Sequence, residues 1–164
     1  DVIYKPILLG GVFKATGNHS PVEIPAKGQY MMAHDLPRFA SRYDVAMNPN
    51  PFFPINTLQL MRAAIAAEQL ECAEVFNEVV YNAVWVEEKN MGDSAVVAGV
   101  LSEHGINAPA LLELSQDPSV KTALIVNTEA AVARGVFGVP TLFMNGEMYF
   151  GQDRLDFVEE ALQA

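Results

Sequence analysis

The chain has 164 residues, 51% of them hydrophobic and 18% charged, which is enough for one folded domain with or without a large insertion and excludes a disordered polymer. Twenty acidic residues against ten basic ones give a formal charge of −10, a field that repels nucleic-acid phosphates and anionic membranes and argues against both as partners. The single cysteine, Cys72, excludes an internal disulfide framework and fits a reducing, cytoplasmic compartment; it reads as a small buried apolar residue or as a reactive thiol.

In chain order, VIYKPILLGG (Val2 to Gly11) is rich in β-branched and apolar residues and ends in two glycines, which predicts a strand buried on both faces and hence parallel. Val12 to Gly28 carries Gly, Asn, Ser and two prolines and is expected to be a loop, long enough to suggest a binding task. From about Met31 to Arg134 the pattern is helical. The His34-Asp35 step is expected to cap a helix starting near Leu36. Leu58, Met61 and Ile65 share one face, and Phe76, Val79, Val80, Ala83 and Val84 another. Val97, Val100 and Leu101 repeat the spacing, with Gly105 as the stop; Asn107 and Asp117, each followed by an early proline, open two further helices. Phe52 and Phe53 read as core or as the wall of an aromatic pocket. No apolar run approaches the ~18 residues of a membrane span.

The last thirty residues change character. TLFMNGEMYF places two short apolar strands around Asn145-Gly146, the residue pair that a type I′ hairpin turn demands. Leu155, Val158 and Leu162 then share a helix face. Pro140 stands just before the first of these strands; were its peptide bond cis, Val139 would be extended, with its N–H and C=O free to pair with a peptide-like ligand. Gly151-Gln152-Asp153 opens the last helix, where N–H groups and the dipole favour a carboxylate. Asp153 is either a cap or a partner for an ammonium. The two corners together suit a ligand with a peptide-like middle and a free amino acid end. His19, His34 and His104 have no metal-ligand spacing, and no metal is expected.

The segments GVFGVPT, the Asn-Gly hairpin and FGQDRLDFVEEAL resemble the second half of the thioredoxin fold. Together with PILLGGVFKATGN, PAKGQYMMAHDLPRFA and FPINTLQLMRAA they resemble, over essentially the whole chain, the 2-hydroxychromene-2-carboxylate isomerases and kappa-class glutathione transferases, relatives of the DsbA oxidoreductases. The resemblance implies an α/β thioredoxin-like fold with a large all-helical insertion, a thioredoxin-like domain at 1–30 and 119–164 and an inserted helical domain at 31–118. It implies a cis bond at Val139-Pro140 and glutathione as cofactor, with Val139 and Pro140 on its cysteinyl backbone and Gln152 and Asp153 at its γ-glutamyl end. Asn18 and Lys27 would reach it from the other side; from the residues alone, Lys27 is equally a solvated loop lysine and Asn18 a turn residue. Lys14 and Trp85 are candidates for contact with an aromatic carboxylate substrate. A homodimer is expected on the same ground.

The chain opens at Asp1 with no Met, directly in what the resemblance makes the second strand. The expectation is that the first strand and helix of the thioredoxin core, with the family's catalytic serine, are absent from this chain, so that it would not catalyse alone. The expected activity is glutathione-dependent conversion of 2-hydroxychromene-2-carboxylate to trans-o-hydroxybenzylidenepyruvate in the breakdown of aromatic hydrocarbons. The alternatives are a kappa-type glutathione transferase, a DsbA-like thiol-disulfide oxidoreductase and a non-catalytic module that binds thiol peptides.

Overall fold

Residues 2–163 are described by the computed structural model; Asp1 and Ala164, the outer limits of the expected thioredoxin-like domain, lie outside the described residues. The first segment departs from expectation. Residues 2–8 form neither helix nor strand and pair with no strand among the described residues, and Val2, Ile3 and Tyr4 are exposed. The segment is instead tied to a distant helix: Asn127 donates to the Pro6 carbonyl at 3.2 Å, and the Leu8 N–H donates to Thr128 Oγ1 at 3.0 Å. At Leu9 the chain turns into α1 (Leu9–Thr16), so the two glycines lie inside a helix. Gly11 serves close packing there, since a Cβ at that position would come within 3.2 Å of the Thr128 methyl. An apolar β-branched run predicts extended backbone, and a ladder needs a partner as well.

The expected loop is also largely helical. A single 3₁₀ turn at Pro21–Glu23, closed by a Ser20–Glu23 capping box, leads into α2 (Pro25–Tyr30). α2 runs through a π-helical stretch at Met31–Asp35 into α3 (Leu36–Tyr43). Asp35 therefore caps nothing; its backbone is helical, and its carboxylate accepts from Arg38 at 3.3 Å. Pro37, which has no N–H to donate, leaves the ladder short of a bond just where the wide turn sits.

Residues 44–57 are not helical, contrary to the expected continuous pattern. Phe52 is exposed there, whereas Phe53 packs on Trp85 with ring centroids 5.3 Å apart. Beyond them α4 (Leu58–Gln69), α5 (Ala73–Trp85), α6 (Ser94–Glu103) and α7 (Ala108–Leu114) enclose the main core. Leu60, Phe76, Leu101 and Leu111 are each at most 2% exposed in it. The expected stripes are the buried ones: Phe76, Val79, Val80, Ala83 and Val84 all face inward, as do Val97, Val100 and Leu101. Gly105 takes the left-handed conformation that ends α6, as expected, and Asn107 accepts from the Ala110 N–H to open α7. Cys72 sits half-buried just before α5, against the same core. α8 (Pro118–Ala133), opened by Asp117, joins this core to α1, with Val120 and Leu124 against Ile65 on one side.

The hairpin matches its sequence signature. β1 (Thr141–Met144) and β2 (Glu147–Phe150) pair antiparallel with Met144 opposite Glu147, leaving Asn145 at φ 50° and Gly146 at φ 86° as the two turn residues. After a 3₁₀ turn at Gln152–Arg154, α9 (Leu155–Gln163) closes the described chain. Of the stripe expected on α9, Val158 is half-buried while Leu155 and Leu162 are exposed.

Candidate functional site

The Val139–Pro140 peptide bond is cis. Thr141 Oγ1 donates to the Gly138 carbonyl at 2.7 Å, and the rings of Phe137 and Phe150 meet at 4.6 Å between centroids, so the approach to Val139 is held on both sides. A Cβ on Gly138 would come within 2.7 Å of the Phe150 ring. A side chain at position 138 would have to push that ring aside. Val139 itself is 45% exposed, and neither its N–H nor its C=O has a hydrogen-bond partner among the described residues. An extended peptide could therefore add to it as a strand adds to an edge.

The second corner touches the first. The Gly151 N–H donates to the Pro140 carbonyl at 2.9 Å, so the residue after the cis bond is fastened to the residue that begins the helix tip. Gly151 has φ 96° and ψ 150°, a region that side-chain-bearing residues rarely enter. Asp153 Oδ1 lies where a Cβ on Gly151 would be, 2.5 Å from that position. Asp153 is exposed and pairs with Arg154, whose guanidinium balances part of its charge. Asn18 joins the group from the other side: its amide donates to the Phe137 carbonyl at 2.7 Å. Val139, Pro140, Gln152, Asp153 and Asn18 thus belong to one connected corner.

The remaining predicted residues lie elsewhere. Lys27 is exposed on α2 and Lys14 is exposed on α1, neither side chain with a hydrogen bond or ion pair among the described residues. Trp85, at the end of α5, packs on Phe53 and against the helical core. Two residues that the sequence did not single out brace the corner. The Tyr43 hydroxyl donates to the Gln152 carbonyl at 2.9 Å, and Arg42 binds Asp156 at 2.6 Å, so α3 fixes the start of α9. More than a hundred positions separate these partners in the chain, and no local pattern marks either. Among the described residues no cluster of three or more His, Cys, Asp or Glu could hold a metal, and no helix is long and apolar enough to cross a membrane.

A hairpin whose first strand follows a cis-proline, with a helix starting immediately after its second strand, defines the thioredoxin-like class of domain, here carrying a large helical insertion. The family model for the DSBA-like thioredoxin domain matches residues 1–163. A 2-hydroxychromene-2-carboxylate isomerase from Sphingobium xenophagum is 32% identical over 97% of this chain and 81% of its own length. Glutathione S-transferase kappa 1 of Rattus norvegicus is 28% identical over 94% of this chain and 74% of its own. A solved structure of a 2-hydroxychromene-2-carboxylate isomerase superposes with a TM-score of 0.87 at 28% identity, covering 98% of this chain and 79% of that one. The chain belongs to the DSBA-like thioredoxin family, in the group that holds the 2-hydroxychromene-2-carboxylate isomerases and the kappa-class glutathione transferases.

Proposed function

We propose that the protein is a glutathione-dependent isomerase that converts 2-hydroxychromene-2-carboxylate to trans-o-hydroxybenzylidenepyruvate in aromatic catabolism. The observation that carries this reading is the near-complete structural likeness to an isomerase of that name, at a TM-score of 0.87. The corner fits the cofactor on its own geometry, because Val139 offers an unpartnered N–H and C=O beside an exposed carboxylate at a helix start. Val139 and Pro140 would align the cysteinyl backbone. Asp153, with Gln152, would take the γ-glutamyl ammonium, and Asn18 would hold the Phe137 turn in place while Lys27 meets the glycyl carboxylate. Bound glutathione supplies a nucleophilic thiol that can add to and leave an activated double bond. Lys14 and Trp85 are assigned to the substrate's carboxylate and ring. None of the described residues is assigned to stabilise the thiolate. The reading includes the division into 1–30 with 119–164 and an inserted 31–118, a cytoplasmic location and a homodimer.

Turnover of 2-hydroxychromene-2-carboxylate by the whole protein, followed by absorbance with and without glutathione, tests it. Activity that needs glutathione supports the isomerase; no turnover in either condition refutes it. The second reading, a kappa-type transferase, is favoured by the rat relative and uses the same corner. It would appear instead as net consumption of glutathione by an electrophile.

A further inference from the structure

An open surface cavity of about 290 Å³ lies in the helical region, lined by Asn56, Leu58, Gln59, Arg62, Ser94 and Gln116. None of these residues belongs to the corner around Val139, and Gln116 and Phe137 flank opposite ends of α8. Arg62 is the only charged residue of the wall. Its Nε is buried without a hydrogen-bond partner, and its guanidinium forms no ion pair among the described residues. A buried, unpartnered donor on a permanently charged group is costly and calls for an explanation. The global charge of −10 makes a missing carboxylate partner more notable still.

Two of the neighbouring amides are turned the same way. Gln59 Oε1 accepts from Ser94 Oγ at 2.9 Å, and Asn56 Oδ1 accepts from the Leu58 N–H at 3.0 Å. Each thus spends its acceptor on the protein and keeps its NH₂ donors. Arg62, Gln59 and Asn56 offer donors to whatever enters, beside the first turns of α4 and α6, where the helix dipole adds to the preference for negative charge. Gln116 instead donates to Ser115 Oγ at 3.3 Å and turns its own acceptor outward. Asp93, beside Ser94 in the chain, accepts from the Ala95 and Val96 N–H groups, and Asp117, beside Gln116, accepts from Ser119; each does so through Oδ1 and neither pairs with Arg62. A guanidinium with several free N–H groups matches a planar carboxylate by paired hydrogen bonds. At roughly ten times the ~30 Å³ that a water occupies in the liquid, and with Leu58 in its wall, the cavity has room for an apolar body as well as the charge. We infer that the Arg62 cavity is a second ligand site that binds a small organic carboxylate, separate from the corner proposed for glutathione.

Isothermal titration of the whole protein with sodium benzoate, beside inorganic phosphate at matched ionic strength, tests this. The expected result is one-to-one benzoate binding whose dissociation constant rises at least tenfold in Arg62→Met. Gln59→Glu, one helical turn from Arg62, should quench the guanidinium in place and weaken binding as much, which guards against a folding defect in the first variant. Lys14→Ala and Asp153→Ala should leave the affinity unchanged. The inference is overturned by an absence of binding, by binding insensitive to Gln59→Glu, by phosphate binding as tightly as benzoate, or by loss of binding in Lys14→Ala or Asp153→Ala.

Discussion

The helical region and the hairpin region are built on different terms. In α4 to α7 the apolar stripes of four helices close on one another, and Phe76, Leu101 and Leu111 are almost wholly removed from solvent. In the stretch from Phe137 to Gln163 the position is reversed. Phe137, Val139, Phe150, Leu155 and Phe157 are all exposed, and α9 buries no residue fully. What holds the second region is largely polar: a two-strand ladder, the Gly151–Pro140 bond, and the long-range contacts of Tyr43 and Arg42 on α3. The helical region closes around a buried apolar core. The hairpin region is a frame that keeps backbone groups and one carboxylate available.

The contrast can be broken most easily with two phenylalanines. Phe76→Ala should destabilise the protein by about 3–5 kcal/mol through cavity formation, whereas Phe157→Ala, 54% exposed on α9, should cost under about 0.5 kcal/mol. Equal costs in urea unfolding would erase the distinction. Gly151→Ala sharpens it from the other side. The positive φ and the Asp153 carboxylate both oppose a Cβ there, so a loss of about 1–3 kcal/mol should come with a displaced Asp153 and weakened glutathione binding. Calorimetry with glutathione on a folded Gly151→Ala protein, finding wild-type affinity, would refute that role. Asp153→Ala should weaken glutathione by about 1–3 kcal/mol at an unchanged melting temperature; a drop in melting temperature with intact affinity would make Asp153 a cap and nothing more.

The smallest effect is a pH dependence. The Ser119 hydroxyl, and after it the Ser119 N–H, hold the Asp117 carboxyl below its ordinary value. With the folded-state pKa depressed, the carboxylate stabilises the fold above the unfolded pKa, and that contribution disappears as pH falls through the folded one. Melting temperatures from roughly pH 5 downward should therefore fall more steeply in the wild type than in Asp117→Asn. Parallel curves would show that the cap has no charge component.

How much of this was legible follows from the range of each signal. The stripes on α5 and α6, the caps at Asn107 and Asp117 and the Asn145-Gly146 turn are local and were all readable, because one helix turn or one hairpin contains the whole message. The strand expected over Val2–Gly11 does not form, since extended propensity says nothing about whether a ladder partner is at hand, and Leu9 to Thr16 is instead a helix packed on Thr128. Asp35 has the spacing of a cap before Leu36, while the π-helical stretch that carries the helix through it has no simple pattern. At the site, the cis bond, the glycine and the acidic helix start lie within fifteen residues and could be seen together. Tyr43 and Arg62 could not, because each is defined by what surrounds it in space: a carbonyl from the far end of the chain in one case, an unfilled set of donors in the other.

The Tyr43 hydroxyl grips the main chain of Gln152 and leaves its amide side chain alone. Location and chemistry at that position are thereby decoupled. Another side chain at position 152 would leave the anchoring of the turn as it is, which gives this corner evolutionary latitude that a side-chain clamp would have denied it.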